Sequence, residues 1–318
     1  MRVVVFGGSG FIGSHVVEEF LRNGDTVRCI DLKRSVRQPK ITMIGDVRDM
    51  YSVRMCMEEA DVVVMLAGLK RPDVEPVQDY YDTHVGGLQN VLQRMEEIGC
   101  KRLVMVSSVA VYGMNRPDYT NVKSLKQPIM HYGKSLWTAE QALQEWYLSH
   151  QDWNINIVRL TSVYGEGSRG SLYSLIHLIN NDKFMMVGKG RNMRSISYVG
   201  NVAAMIRHMV EHVREGFNAY TYADEPSLTM AELANKLCSL IGKPMPKRIP
   251  LWVGVYGGKV CDWLAKHTGK RYAVSESRIK KFCSTMLYDG SMVRETGFVQ
   301  PYTLDEGLKR TIEHELKR

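Results

Sequence analysis

Residues 2–13, RVVVFGGSGFIG, constrain the fold of this chain more than any other stretch. A β-branched apolar run breaks directly into glycines at 7, 10 and 13, and the last of these opens an amphipathic helical pattern, GSHVVEEFLRNG, closed by Gly24. The first glycine permits a tight turn, the second lets backbone approach a pyrophosphate, and the third lets helix and strand pack closely. The helix N-terminus beyond them offers free N–H groups and a positive dipole end. The change from strand period to helix period then repeats: TVRCIDL and SVRMCMEEA, DVVVMLAG and HVGGLQNVLQRMEEIG (84–99), KRLVMVSSVAVYG (101–113) and YGKSLWTAEQALQEWYLSH, and a last strand, NINIVRLTSVYG, at 154–165. Alternation at this spacing predicts βαβ units in a parallel doubly wound sheet, an α/β fold whose ligands lie beyond the carboxyl ends of the strands.

The glycine turn does not stand alone. Asp31 ends the second strand pattern, eighteen residues past Gly13. A carboxylate there accepts hydrogen bonds from the ribose hydroxyls of an adenosine and repels a 2′-phosphate, so NAD is expected over NADP. Lys33 and Arg34 stand close enough to weaken that preference.

After residue 166 the rhythm changes. GSLYSLIHLINNDKF reads as a helix, ISYVGNVAAMIRHMVEHV as a short strand and a helix, and LTMAELANKLCSLIG opens with Thr229 as N-cap and Glu232 three residues on, a capping box. IPLWVGVYGGKVCDWLAKHTG carries apolar residues at helical spacing. Its glycines make a poor free-standing helix, so packing on the protein is expected ahead of a membrane-surface role. The expected organisation is a dinucleotide-binding domain over 1–165, joined by a returning segment near 196–225, and a smaller, mainly substrate-binding α/β domain over 166–318.

At 318 residues and 44% hydrophobic content the chain can bury a large core. No apolar run reaches the roughly eighteen residues that span a bilayer, and Met1 leads straight into a strand pattern, which reads as a chain without a signal peptide. Six scattered cysteines, with no CxxC pair and no neighbouring histidine cluster, suit reduced thiols in a cytoplasmic protein without a metal site. The formal charge of +8 gathers in KPMPKR, KHTGKR and RIKK of the last third. That reads as a solvated basic face or as a field that collects an anionic, phosphate-bearing substrate. Nucleic acid is the weakest reading, because no stacking aromatics are interleaved.

Gly7, Gly10, Gly13, Asp31, GDVRD (45–49), LAG (66–68), SSVAVYG (107–113) and Tyr132 occur in the order found in the extended short-chain dehydrogenase/reductase family, which the chain resembles over essentially its whole length. It looks most like the NAD-dependent nucleotide-sugar epimerases and dehydratases. RSISYV at 194–199 and GFVQPYTLDEGLKRTIEHE at 297–315 resemble late segments of the same family. The resemblance implies a Rossmann-type sheet with a smaller C-terminal domain, and NAD held by Gly7, Gly10, Phe11, Ile12, Gly13, Asp31, Asp46, Val47, Leu66, Ala67, Gly68 and Tyr132. It implies Tyr132 as the phenolate that takes a sugar hydroxyl proton, and Ser108 as the hydroxyl bonding the same oxygen. On the substrate side it implies Ser108, Ser162 (in place of a common asparagine), Arg194 and Arg278; His84 likewise replaces an asparagine of the cofactor domain. A homodimer through the helices at 84–99 and 132–150, a UDP-sugar partner, and no partnership with nucleic acid complete the expectation.

One position departs from the pattern. In HYGKSLWTAE the family's lysine, four residues after the tyrosine, is Leu136. Residues four apart lie about 40° apart on a helix and residues two apart about 200°, so Lys134 points away when Tyr132 points in. An unperturbed phenol near pKa 10 is ionised about one part in a thousand at neutral pH. Val109 and Ala110 stand where dehydratases carry Asp-Glu, and neither exchanges protons. The reading is therefore an NAD-dependent nucleotide-sugar epimerase-like oxidoreductase, working at C4 through a transient 4-keto sugar. The alternatives are a non-catalytic NAD or nucleotide-sugar binding protein, and a 4-keto-sugar nucleotide reductase or dehydratase.

Overall fold

The computed structural model describes residues 1–70, 74–113, 120–213, 215–268 and 275–316, and only the backbone of Ala265 and Arg278. The first half runs β1 (Arg2–Phe6), α1 (Phe11–Arg22), β2 (Thr26–Asp31), β3 (Thr42–Ile44), α2 (Met50–Cys56), β4 (Val62–Met65), α3 (Gln78–Tyr81), α4 (Gly87–Glu97), β5 (Arg102–Ser108), α5 (His131–Ser149) and β6 (Asn154–Leu160). The second half runs β7 (Ser162–Tyr164), α6 (Ser171–Asn180), β8 (Met186–Val187), β9 (Met193–Arg194), β10 (Ile196–Tyr198), α7 (Val199–His212), β11 (Phe217–Tyr222), β12 (Leu228–Thr229), α8 (Met230–Ile241), β13 (Arg248–Ile249), α9 (Leu251–Thr268), α10 (Glu276–Cys283), α11 (Ser291–Glu295) and α12 (Leu304–Leu316).

Seven strands form one sheet in the order β11-β6-β5-β4-β1-β2-β3, all of its pairings parallel. The β-branched runs follow from that placement, since a parallel sheet is covered on both faces. Val3 and Val5 of β1 join one layer with Val16, Val17 and Phe20 of α1, while Val4 and Phe6 join the other with Leu88, Val91 and Leu92 of α4. Burying each such side chain contributes roughly 1.5–3 kcal/mol relative to exposure. The strand of the returning segment, β11, lies along β6 in register from Phe217↔Ile155 to Tyr222↔Leu160.

Three elements differ from the sequence reading. The strand expected over 154–165 is two: β6 ends at Leu160, and β7 leaves the main sheet to pair with β10. Thr161 holds the break, its hydroxyl 2.7 Å from that of Ser197. The helix expected from 84 begins with a π turn over Asp82–Gly86, and the strand expected to reach 113 stops at Ser108, where a 3₁₀ turn over Val109–Tyr112 follows. The capping box at Thr229 and Glu232 forms as expected. Among the described residues no helix is long and apolar enough to cross a membrane.

Candidate cofactor and catalytic site

The glycine turn is built by contact as much as by conformation. Gly7 has φ +80, and a Cβ on it would lie 2.6 Å from the Ala67 nitrogen; one on Gly13 would lie 2.1 Å from the Gly7 carbonyl oxygen. Those two glycines seat the turn against the end of β4 and close α1 onto β1. Gly10 is different: it is exposed, and a Cβ there meets only the Gly7 oxygen, at 3.2 Å. Gly10 caps α1 without a side-chain bond, and the first intrahelical donor is Ser14 N–H, 2.9 Å from the Gly10 oxygen. The N–H groups of Phe11, Ile12 and Gly13 precede it, as the unsatisfied donors of a helix start do. A pyrophosphate fits this arrangement.

Asp31 ends β2 beside the turn. Its carboxylate accepts from Ser9 N–H at 3.0 Å and from Lys33 N–H at 3.3 Å. A carboxylate has about four acceptor directions, so capacity remains for ribose hydroxyls. Leu66, Ala67 and Gly68 follow β4; Leu66 N–H donates to Phe6 O at 2.9 Å, and Gly68 faces the His84 ring. Asp46 and Val47 sit differently from what a side-chain role requires. The Asp46 carboxylate is gripped by Arg48, 2.7 Å from Nη2, and this hydrogen bonding lowers its pKa; Val47 is buried beneath Gly87. Their backbone is engaged as well: Asp46 N–H donates to Ser52 Oγ at 2.9 Å, and the Val47 carbonyl accepts from Asn90 Nδ2 at 2.8 Å.

Tyr132 and Ser108 meet at the carboxyl end of β5. Gly133 allows the approach: a Cβ on it would lie 2.6 Å from the Ala110 oxygen, so α5 rests directly on the turn that follows Ser108. Ser108 Oγ accepts from Ala110 N–H at 3.2 Å, which fixes the hydroxyl as the cap of that turn. Burial pushes the Tyr132 pKa up, the nearby Ser108 hydroxyl pulls it down, and the neighbouring Tyr80 raises it. No lysine or arginine appears among these influences within the described residues. Leu136 is 5% exposed and packs with Val111 and Tyr112 beside Tyr132, while Lys134 is exposed, as helix geometry predicts.

His84 takes up the space on the other side of the phenol, the ring centroids 5.9 Å apart. Its Nε2 accepts from Leu69 N–H at 3.1 Å, so the ring proton is on Nδ1, 2.7 Å from Ser135 Oγ, and that hydroxyl donates to the Tyr132 carbonyl at 3.1 Å. Burial holds the His84 pKa down to about 4. The imidazole is therefore neutral and supplies no replacement for the lysine. It locks α5 to the π turn instead, a device that Ser135 and the aromatic neighbour Tyr80 complete and that the sequence reading passed over.

The other expected substrate-side residues lie on three elements, β7, β9 and α10. Ser162 is exposed at the start of β7, its Oγ 3.5 Å from that of Ser171 at the start of α6. Arg194 is occupied: Nη2 donates to the carbonyls of Lys281 and Phe282 at 2.8 and 2.5 Å, which ties β9 to the end of α10. Gripping a phosphate would require exchanging those bonds. The Arg278 side chain lies outside the described residues.

A buried polar network joins the helix of Tyr132 to the strand of Ser108. Glu140, two turns beyond Tyr132 on α5, receives Arg159 Nη2 at 2.7 Å and Nε at 3.1 Å, and Ser107 Oγ at 2.6 Å. Arg159 Nη1 donates to the Tyr112 hydroxyl at 2.9 Å, itself 2.7 Å from Thr221 Oγ1. The network joins α5 to β5, β6 and β11. Its signals in the sequence were polar letters inside strand patterns, Ser107 and Arg159, which alternation alone assigns to no partner.

Comparison with known proteins agrees with this geometry. The family described as NAD dependent epimerase/dehydratase matches residues 3–223. The N-acetyl-alpha-D-glucosaminyl-diphospho-ditrans,octacis-undecaprenol 4-epimerase of Escherichia coli O157:H7 is 41% identical over 99% of this chain and 95% of its own. The UDP-glucose 4-epimerase of Vibrio cholerae is 24% identical over 97% and 94%. The structure of a UDP-glucose 4-epimerase with UDP-glucose from Thermotoga maritima superposes with TM-score 0.78 at 20% identity, covering 100% of this chain and 99% of that one, and so shares the fold. With the glycine turn, Asp31 and the Ser108–Tyr132 pair in place, the chain belongs to the NAD dependent epimerase/dehydratase family, an enzyme family whose cofactor is NAD.

Proposed function

We propose that this protein is an NAD-dependent 4-epimerase whose substrate is a sugar carried on a diphosphate, with a polyprenol as the other diphosphate substituent. The observation that carries the chemistry is the approach of Ser108 to the Tyr132 phenol at the carboxyl end of β5, where α5 rests on the turn that Ser108 caps. Tyr132 takes the proton from the C4 hydroxyl while Ser108 orients the same oxygen. NAD, which the Gly7–Gly13 turn and Asp31 would hold, would supply the reversible hydride acceptance at C4 that epimerisation needs. Val109 and Ala110, in the turn capped by Ser108, hold no acid or base for eliminating water, which favours epimerisation over dehydration.

The lipid-linked substrate is supported by the E. coli relative, which by its name acts on a polyprenyl-diphospho sugar and shares far more of this sequence than the UDP-glucose 4-epimerase of V. cholerae does. A UDP-sugar presents the same sugar-diphosphate moiety and is the second reading, favoured by the UDP-sugar epimerase structures that share the fold. We place the enzyme in the cytoplasm, as a homodimer through α4 and α5. The test is turnover of N-acetylglucosaminyl-diphospho-undecaprenol in detergent beside UDP-N-acetylglucosamine and UDP-glucose, with product sugars separated after mild acid release. Conversion of the lipid-linked sugar to its 4-epimer is expected; conversion of UDP-sugars alone overturns the lipid reading.

A further inference from the structure

Helix α9 has two unlike faces. Gly254 and Gly258 lie inward: a Cβ on Gly254 would sit 2.6 Å from Val187 Cγ1, and one on Gly258 2.7 Å from Glu276 N. The glycines that make the helix weak in isolation are thus what lets it lie flush on β8 and the start of α10. About half a turn away, at 100° per residue, Trp252, Tyr256, Val260 and Trp263 share an arc of about 80°. They are 74%, 69%, 45% and 59% exposed. A run of large aromatic and aliphatic side chains kept in water along one helix is unlike the single exposed apolar residues of an ordinary surface.

Charge surrounds this stripe. Lys259 and Lys266 are exposed on α9 itself, and Lys280 and Lys281 on the adjoining α10. Residues 243–281 contain ten lysines and arginines against two acidic residues, so this segment carries the whole formal excess of +8. Both acids are engaged: Asp262 accepts from Glu276 N–H at 2.9 Å, and Glu276 pairs with Lys280 at 2.7 Å. Tryptophan and tyrosine with lysines at their flanks is the composition that lies in the headgroup region of an anionic bilayer. A second copy of this chain would bring the same positive field against itself.

We infer that α9 docks this protein on the surface of an anionic membrane, with Trp252, Tyr256, Val260 and Trp263 inserted between headgroups and the lysines of α9 and α10 on phosphates. Its purpose rests on the lipid-linked substrate proposed above, since a polyprenyl chain never leaves the bilayer and the enzyme must come to it. The whole-length protein with NAD is mixed with vesicles of phosphatidylethanolamine and phosphatidylglycerol, and with vesicles of phosphatidylcholine alone, then sedimented. Binding to the anionic vesicles that weakens with added salt, a blue shift of tryptophan emission, and a loss of at least tenfold in affinity for Trp252→Glu/Trp263→Glu are expected. The same variant should turn over a short-chain, water-soluble prenyl-diphospho sugar at the wild-type rate while losing activity on substrate embedded in vesicles. A wild type that stays in solution, a variant that binds anionic vesicles as well as wild type, or a stripe that drives a dimer dissociated by the variant with no vesicle binding overturns the inference. Vesicle binding by an enzyme that acts on UDP-sugars alone leaves the docking surface standing and removes the substrate reading.

Discussion

Leu136 stands one helical turn beyond Tyr132, enclosed by Val111 and Tyr112, in the place from which a cation would act on the phenol. Burial raises the Tyr132 pKa, and among the described residues Ser108 alone opposes it. Turnover that depends on a scarce phenolate should therefore climb about tenfold per pH unit between pH 7 and 9. Leu136→Lys supplies the cation, flattens that climb and raises the rate at pH 7, while burying an ammonium lowers stability. A pH profile of kcat for both proteins decides it. A level wild-type profile would mean that the phenol is ionised by some other group.

Removing the phenol altogether has a sharper outcome. Tyr132→Phe should lower kcat by roughly 10²–10⁴-fold, the range for loss of a positioned acid–base group, while NAD binding measured by calorimetry changes little. Ser108→Ala should lose about 10²-fold, as for one hydrogen-bond donor at a reacting oxygen. Ser108→Thr, which keeps the hydroxyl, should recover most of it. Equal activity in wild type and Tyr132→Phe would dismiss the pair as the catalytic centre.

Glu140 and Arg159 are 2% and 5% exposed at the side chain, and the guanidinium meets both carboxylate oxygens. Removing one partner of such a pair strands the other in a low dielectric at roughly 3–5 kcal/mol. Glu140→Gln is expected to lower the free energy of unfolding in urea by that order and to shift Tyr132 with α5, raising KM as well as lowering kcat. An effect on stability below about 1 kcal/mol would show that water reaches the pair.

The sheet and its cradle were legible because their physics is local. A parallel strand covered on both faces must be apolar throughout, as β1 is, and Gly7 and Gly13 are dictated by backbone contacts 2.6 and 2.1 Å away that no other residue tolerates. The order of motifs put Tyr132 and Ser108 forward together, and the two lie close at the end of β5. The His84–Ser135 link and the Ser107–Glu140–Arg159 network were not, because each joins residues at least 19 positions apart whose letters, taken singly, fit an ordinary surface. Arg194 shows the converse. Its position matched a phosphate-binding pattern, yet a guanidinium bonds carbonyls as readily, and the end of α10 occupies it. The glycines of α9 argued rightly for packing on the protein; the sequence reading set that packing ahead of a membrane-surface role, whereas the helix has one face for packing and another that stays exposed.

Two buried groups pull the pH dependence of stability in opposite directions. His84, held down to about 4 by burial, refuses a proton that the unfolded chain takes up near 6.5, so its contribution is lost as pH falls from 6.5 to 4. Asp224, raised by burial to about 6, keeps a proton that the unfolded chain releases near 3.8, so its contribution is lost as pH rises from 4 to 6. Each amounts to about 3 kcal/mol over its window. In wild type the two largely offset. His84→Asn should then leave stability falling with rising pH, and Asp224→Asn should leave it rising, in urea unfolding at pH 4, 5, 6 and 7. Single variants that parallel the wild-type curve would show that neither group titrates in this way.

Cofactor choice turns on Asp31, whose carboxylate stands within reach of the turn through Ser9 N–H at 3.0 Å. Two unit charges 4 Å apart at an effective dielectric near 20 interact by about 4 kcal/mol, and a ribose 2′-phosphate would meet that repulsion. Asp31→Asn keeps an oxygen for Ser9 N–H and removes the charge, so the turn should hold its shape. The ratio of the Kd for NADP to that for NAD is expected to fall at least tenfold, with most of the change in NADP, because Lys33 and Arg34 then act unopposed. An unchanged ratio, measured by fluorescence titration of the reduced dinucleotides, would mean that the adenosine ribose lies away from the end of β2.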